Sequence, residues 1–227
     1  MAVNVVSKTD DLVSVRHVLL SVSDKSGLDE LVPALVEINP EIRLFSTGGT
    51  HGAIADILGA EKATAHLIQV SDYTGQPETQ GGLVKTLDFK IYLGLLTETY
   101  NSSHQADLSR TQAVPIDMVV VNLYPFAATV AQEGITVEDA RSNIDIGGPC
   151  MIRASAKNYL RVASVVDPKD YESLVTYLRG NQGRLDLAKR FKLAQKAFAH
   201  TAAYDSAIAD FLSRQNPGTV PSTYDLA

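Results

Sequence analysis

The sequence predicts a three-layer α/β fold, a mostly parallel sheet flanked by helices, with an appended C-terminal helical part. Three patterns carry that reading. Short apolar runs at 15–22, 42–45, 64–70, 118–121 and 162–166 have the length and residue types of strands. Amphipathic helical stretches alternate with them, which implies right-handed crossovers and parallel pairing. The run Met118-Val119-Val120-Val121 is continuously apolar, as a strand covered on both faces must be.

The first run ends in Ser21-Val22-Ser23-Asp24-Lys25-Ser26-Gly27, and a helix follows with Leu28, Leu31, Val32, Leu35 and Val36 on one face. After the second run, Ser46-Thr47-Gly48-Gly49-Thr50 turns into a helix carrying Ile54, Ile57 and Leu58, with Gly59 as its stop. Residues 64–70 read as a third strand, and 75–97 as an irregular, glycine-rich stretch. The fourth run breaks at Asn122-Leu123-Tyr124-Pro125 and the fifth at Asp167-Pro168. From about 186, Leu187, Phe191, Ala194, Phe198, Thr201, Asp205, Ile208 and Leu212 form a helical stripe that predicts a packing face against the sheet domain or a second subunit, ended by Asn216-Pro217-Gly218. Residues 1–14 read as a flexible tail, 15–215 as one domain and 216–227 as a second tail.

Composition narrows the function classes. With 45% hydrophobic and 20% charged residues, the 227-residue chain has the profile of a soluble globular protein. No apolar run approaches the ~20 residues that span a bilayer, and the polar start is neither a signal nor a transit peptide. A net charge of −6 without a Lys/Arg block argues against nucleic acid as a partner, while leaving an anionic small molecule open. The single cysteine, Cys150, excludes an intramolecular disulfide, fits the cytoplasm and reads as a buried helical thiol. The five histidines lack zinc-ligand spacing, so no metal is expected.

Four segments carry chemistry. In the turns after the first two strands, Ser21 and Ser23 share a side of an extended chain, Lys25 adds a point charge, and Thr47-Gly48-Gly49-Thr50 offers open backbone N–H groups at a helix start. That set suits a phosphate, although neither the Walker A nor the Gly-x-Gly-x-x-Gly spacing is present. Gly81-Gly82-Leu83-Val84-Lys85-Thr86-Leu87 supplies a lysine and a threonine beside flexible backbone. Ile144-Asp145-Ile146-Gly147-Gly148-Pro149 places a carboxylate before a helix entry, with Pro149 suited to the first helical position, and Lys157 follows on that helix. Lys85, Tyr124, Asp145 and Lys157 together can stabilise an oxyanion, orient a nitrogen nucleophile and relay a proton with no cofactor.

These segments, in this order, resemble the inosine monophosphate (IMP) cyclohydrolase domain of the bifunctional purine-biosynthesis proteins, a methylglyoxal-synthase-like fold. The resemblance runs from about 17 to 212 and rests on Ser21-Val22-Ser23-Asp24-Lys25-Ser26-Gly27, Gly48-Gly49-Thr50, Val84-Lys85-Thr86-Leu87, Asn122-Leu123-Tyr124-Pro125-Phe126, Ile144-Asp145-Ile146-Gly147-Gly148 and Ala156-Lys157-Asn158. The stretch Ala197-Phe198-Ala199-His200-Thr201-Ala202 with Tyr204-Asp205 completes it. It implies closure of 5-formamidoimidazole-4-carboxamide ribotide to IMP. In that reaction Lys85 and Tyr124 act on the formyl oxygen, Asp145 on the carboxamide, and Lys157 supports the charge network. It further implies that Ser21, Ser23, Lys25, Thr47, Gly48, Gly49 and Thr50 hold the phosphate, and that Thr86, Asn122, Ile146 and Gly147 contact base or ribose. A homodimer is the family's habit.

Two departures stand out. The family's Gly-Arg-Val-Lys-Thr-Leu-His-Pro is here Gly82-Leu83-Val84-Lys85-Thr86-Leu87-Asp88-Phe89, so an arginine has become Leu83 and a His-Pro pair Asp88-Phe89. The sequence also contains no formyltransferase domain, which implies a separate protein supplying the formylated ribotide. The rival readings are a nucleotide-sensing module of the same fold, which needs only the phosphate cradle, and methylglyoxal synthase. Against the first stands the full set of four reactive residues, and against the second the Asn-Leu-Tyr-Pro-Phe and Ala-Lys-Asn segments.

Overall fold

A computed structural model describes residues 5–77 and 85–226, so the readings at Gly81, Gly82, Leu83 and Val84 fall outside the described residues. The central sheet is built from β2 (His17–Val22), β3 (Arg43–Ser46), β4 (Leu67–Gln69), β5 (Met118–Asn122) and β6 (Ala163–Val165). All neighbours pair in parallel, in the order β4-β3-β2-β5-β6. A short antiparallel pair, β1 (Val13–Ser14) with β7 (Arg184–Leu185), lies apart from it.

Strand alternation sorts the core into two layers. Val18, Leu20 and Val22 of β2 with Met118 and Val120 of β5 pack against α1 (Leu28–Ile38), α2 (Gly48–His66) and α9 (Tyr171–Gly180). Leu19, Val119 and Val121 face the other way, towards α4 (Phe89–Leu96), α6 (Phe126–Val130), α8 (Gly147–Lys157) and α10 (Leu187–Ser213). Shorter helices α3 (Val70–Thr74), α5 (Ser102–Thr111) and α7 (Val137–Ser142) complete the connections. The three-layer α/β expectation holds.

Several local expectations do not. Gly59 breaks α2 (φ 72°, ψ 165°), but helix resumes over Ala60–His66 because Ala, Glu and Lys dominate that stretch; only Leu67–Gln69 remain as strand. The irregular stretch 75–97 hides α4, whose Asp88 carboxylate accepts the Lys90 N–H at 2.7 Å as an N-cap. One of the two departures from the family pattern therefore has a structural use. Pro149 falls at the third helical position of α8 rather than the first, still within the turn whose N–H groups lack helical acceptors. Cys150 is half-buried rather than buried.

The tail readings also change. From Thr9 onward the N-terminal segment is tied down: Thr9 Oγ1 donates to the Leu160 carbonyl at 2.9 Å, and β1 pairs with β7. Arg190, fully buried on α10, donates all five guanidinium N–H groups to carbonyls of Asp10, Asp11, Tyr159, Leu160 and Leu185. At the other end, Tyr224 Oη donates to Glu138 Oε2 of α7 at 2.7 Å. Finally, the buried face of α10 is Arg190, Leu193, Ala194, Ala197, Thr201 and Tyr204. Phe191, Phe198, Asp205 and Leu212 of the expected stripe are exposed, so they do not pack on the sheet, and the expectation of a second subunit against them is untouched. A buried arginine with only backbone partners looks like a solvated charge in a sequence, and that shifts the apparent stripe round the helix.

Candidate active site

The chain runs outward from β2 through β3 to β4, then returns to lay β5 on the other side of β2. Crossovers therefore leave β2 and β5 in opposite directions, and the crevice beyond their C-terminal ends is where such sheets bind ligands. The register sets Val22 beside Asn122, so the loops 23–25 and 123–125 leave the sheet at one level. A cavity of about 280 Å³ opens there. Of the predicted residues, Ser21, Ser23, Lys25, Thr47, Gly48, Gly49, Thr50, Lys85, Thr86, Asn122, Tyr124, Asp145 and Gly147 line it, drawn from five separate stretches of chain.

At one end lies a cradle for an anion. The first turn of α2 begins at Gly48, whose φ of +53° few side chains adopt. A Cβ there would also come within 2.9 Å of Lys85 Nζ, and one on Gly49 within 3.9 Å of Lys25 Nζ. Two ammonium groups thus flank one Gly-Gly turn at a helix N-terminus, an arrangement that favours phosphate. Although the whole chain is acidic, the charged groups lining this cavity among the described residues are two lysines and one carboxylate.

Two predicted ligand-binding residues also have structural duties. Thr50 Oγ1 takes the Val22 N–H and reaches the Val22 carbonyl, both at 3.1 Å, which ties α2 to the end of β2. Asn122 Oδ1 accepts from the Ser23 and Asp24 N–H groups at 2.7 and 2.8 Å, while its Nδ2 donates to the Asp24 carbonyl at 2.8 Å. Both side chains shape the cradle by holding its backbone.

At the other end, Asp145 sits half-buried ahead of α8. Its Oδ1 accepts the Gly148 N–H at 2.9 Å. Burial pushes its carboxyl above the usual carboxylate range, and the N–H groups of Gly148 and Tyr124 pull it part of the way back. A carboxylate raised in this manner is a better base near neutral pH. Gly148 is closely fitted: a Cβ would lie 2.5 Å from Asp145 Oδ2 and 2.5 Å from Leu123 Cδ2, so both side chains would have to shift. The Tyr124 ring is half-exposed at the rim.

Lys157 and Ile146 are not brought in. Lys157 is exposed at the far end of α8, ten residues beyond Gly147, or about 15 Å along the axis. Proximity in sequence to Asp145 concealed that separation. Ile146 is 59% exposed, and its neighbour Gly147 lines the cavity. Sequence reasoning missed Leu87 and Met151, apolar members of the lining that carry no chemical signature. A larger hollow of about 460 Å³ lies at the opposite, N-terminal edge of the sheet, but the charge at its base is spent. There Arg161 is paired with Asp117 at 2.9 Å and bonded to the carbonyls of Gly94, Thr97 and Ile116.

Comparison with known families now decides the relationship, because the model of the MGS-like domain matches residues 27–150, more than half of the chain. The chain belongs to the MGS-like domain family. Residues 155–227 match a second model, the AICARFT/IMPCHase bienzyme. A solved structure titled "Crystal structure of ForH" superposes on this MGS-like domain with a TM-score of 0.74 and 30% identity, covering 87% of this chain and 97% of that one. Together the two matches span residues 27–150 and 155–227, and this pairing supports a role in purine metabolism. Among the described residues, no helix is long and apolar enough to cross a membrane.

Proposed function

We propose that the protein is an IMP cyclohydrolase, closing the formamidoimidazole carboxamide ribotide to IMP with loss of water and without a cofactor. The observation that carries this reading is the shared cavity: an anion cradle at one end, flanked by Lys25 and Lys85, with Asp145 and Tyr124 on the same lining so that Lys85 stands between the cradle and the reacting groups. The ribotide phosphate rests on Gly48, Gly49 and the α2 N-terminus, with Lys25 beside it. The carboxamide nitrogen attacks the formyl carbon and gives a proton to Asp145, while Lys85 and Tyr124 stabilise and protonate the formyl oxygen. The carbinol C–O bond then breaks, the formamido nitrogen releases its proton, and water leaves. Because the attack is intramolecular, positioning and oxyanion stabilisation can supply most of the acceleration.

Within one protomer the reaction falls to Lys85, Tyr124 and Asp145, without Lys157. We carry forward a cytoplasmic homodimer, supported by the exposed Phe191 and Phe198 of α10, and a separate formyl-transferring protein as the source of substrate. The test is a steady-state assay of the purified chain with the formylated ribotide, following IMP by absorbance, with Lys85→Ala in parallel. Turnover lost in the variant supports the enzyme. Absent turnover with nucleotide binding retained in both proteins overturns it in favour of a sensor.

A further inference from the structure

We infer that Tyr204, on α10, is a positioning residue for the ring closure, holding the Asp145 segment and the Tyr124 segment in one frame. This inference rests on the cyclohydrolase reading and extends it to a residue outside the cavity lining.

The geometry is specific. The Asp145 main-chain N–H donates to Tyr204 Oη at 2.8 Å, across 59 residues of sequence, and the same hydroxyl points its own hydrogen at the Asn143 carbonyl, 3.4 Å away. Tyr204 is 9% exposed, so water does not readily replace that partner. Its ring meets Phe126 edge-to-face with centroids 6.2 Å apart, and Phe126 follows Tyr124 by two residues. One side chain thus grips both loops: the hydroxyl holds the loop bearing Asp145, and the ring backs the loop bearing Tyr124. None of these contacts reaches the anion cradle, whose parts come from β2, α2 and Lys85.

Removal of the hydroxyl therefore loosens residues 143–145 while leaving the phosphate end intact. Among the described residues, the titratable groups that line the cavity with Asp145 are Lys25, Lys85 and Tyr124, and Tyr204 stands behind its main-chain N–H. Burial is the main cause of the raised carboxyl, so a loosened segment that admits water lowers its titration midpoint.

The variant is Tyr204→Phe, which keeps the ring and its packing on Phe126. We expect kcat to fall about 10- to 100-fold, with KM for the ribotide within about twofold, the size of loss a misplaced reacting group causes. The second measurement is the ¹³C carboxyl titration of Asp145, identified by its loss in Asp145→Asn, which is expected to shift to lower pH in Tyr204→Phe. An unchanged kcat in an active protein overturns the inference, as does a loss carried wholly by KM. If the wild type does not turn over, the cyclohydrolase reading fails by itself. The carboxyl titration still decides the positioning, since an unmoved midpoint overturns it and a lowered one sustains it.

Discussion

Alanine at Gly148 is the sharpest probe of how closely the Asp145 carboxylate is fitted. Gly148 does not have a positive φ, so alanine meets no backbone penalty and gains helix propensity of up to about 1 kcal/mol. The cost comes from contact. The new methyl would lie 2.5 Å from Asp145 Oδ2 and from Leu123 Cδ2, so each must retreat by about 0.9 Å to reach ordinary separation. Leu123 is buried beside Phe126 in the second core layer and has little room to yield, which throws most of the movement onto Asp145. A displacement near 1 Å at a reacting group lowers turnover about 100-fold. Overpacking adds about 1–3 kcal/mol of destabilisation, partly offset by the helix gain. The assay is kcat and KM for the ribotide, with thermal melts of the same samples. Gly52→Ala is the control: nothing lies within 4 Å of a Cβ there, so it should leave kcat unchanged and slightly raise Tm. Wild-type kcat in Gly148→Ala would show that Asp145 is not held where the reaction needs it, and the mechanism would have to be rebuilt.

Other substitutions separate the parts of the site. Lys25→Ala should raise KM several-fold with kcat nearly kept, whereas Lys85→Ala should lower kcat by about 100-fold or more; steady-state kinetics tells uniform binding from transition-state stabilisation. For Asp145 the sign of the pH effect is set by its raised carboxyl: its favourable contribution to stability is present at low pH, where it is protonated, and is lost as pH rises through the folded-state midpoint. The Tm of Asp145→Asn relative to wild type should therefore climb between acid and neutral pH, while activity is abolished throughout; a flat difference in melting scans would contradict the burial argument. Arg190→Met strands five carbonyls and should cost about 3–5 kcal/mol, or about 6–20 °C in Tm for a domain of this size. Lysine should not rescue it, because its three donors radiate from one atom.

What could be read from the sequence follows what each residue's chemistry reveals locally. Ser23, Lys25, Gly48, Gly49, Tyr124 and Asp145 stood out because polar or glycine-rich turns at strand ends share one sheet edge in a parallel fold. Thr50 and Asn122 line the cavity and also hold its backbone, a duty the sequence does not show. A hydroxyl or amide at a turn can serve ligand or backbone equally well, and only the register decides between them. Lys157 was drawn in by nearness along the chain, although a straight helix carries it away from the cavity. Tyr204 belongs to the stretch that carries the resemblance, but its duty and that of Arg190 cannot be read, because they bond mostly to distant main-chain groups, which leave no trace in side-chain pattern.

Arg190 and Tyr204 stand near opposite ends of the buried face of α10, one grasping the amino-terminal segment and the other the loop before α8. The helix is therefore a splint rather than an appendage. Amide hydrogens along its buried face should exchange only when the whole molecule opens, in step with those of β5 and β6. A protease cut before Asp186 would not trim an accessory but release both the start of the chain and its reacting carboxylate together, leaving Met151, Ile152 and Ala156 without cover.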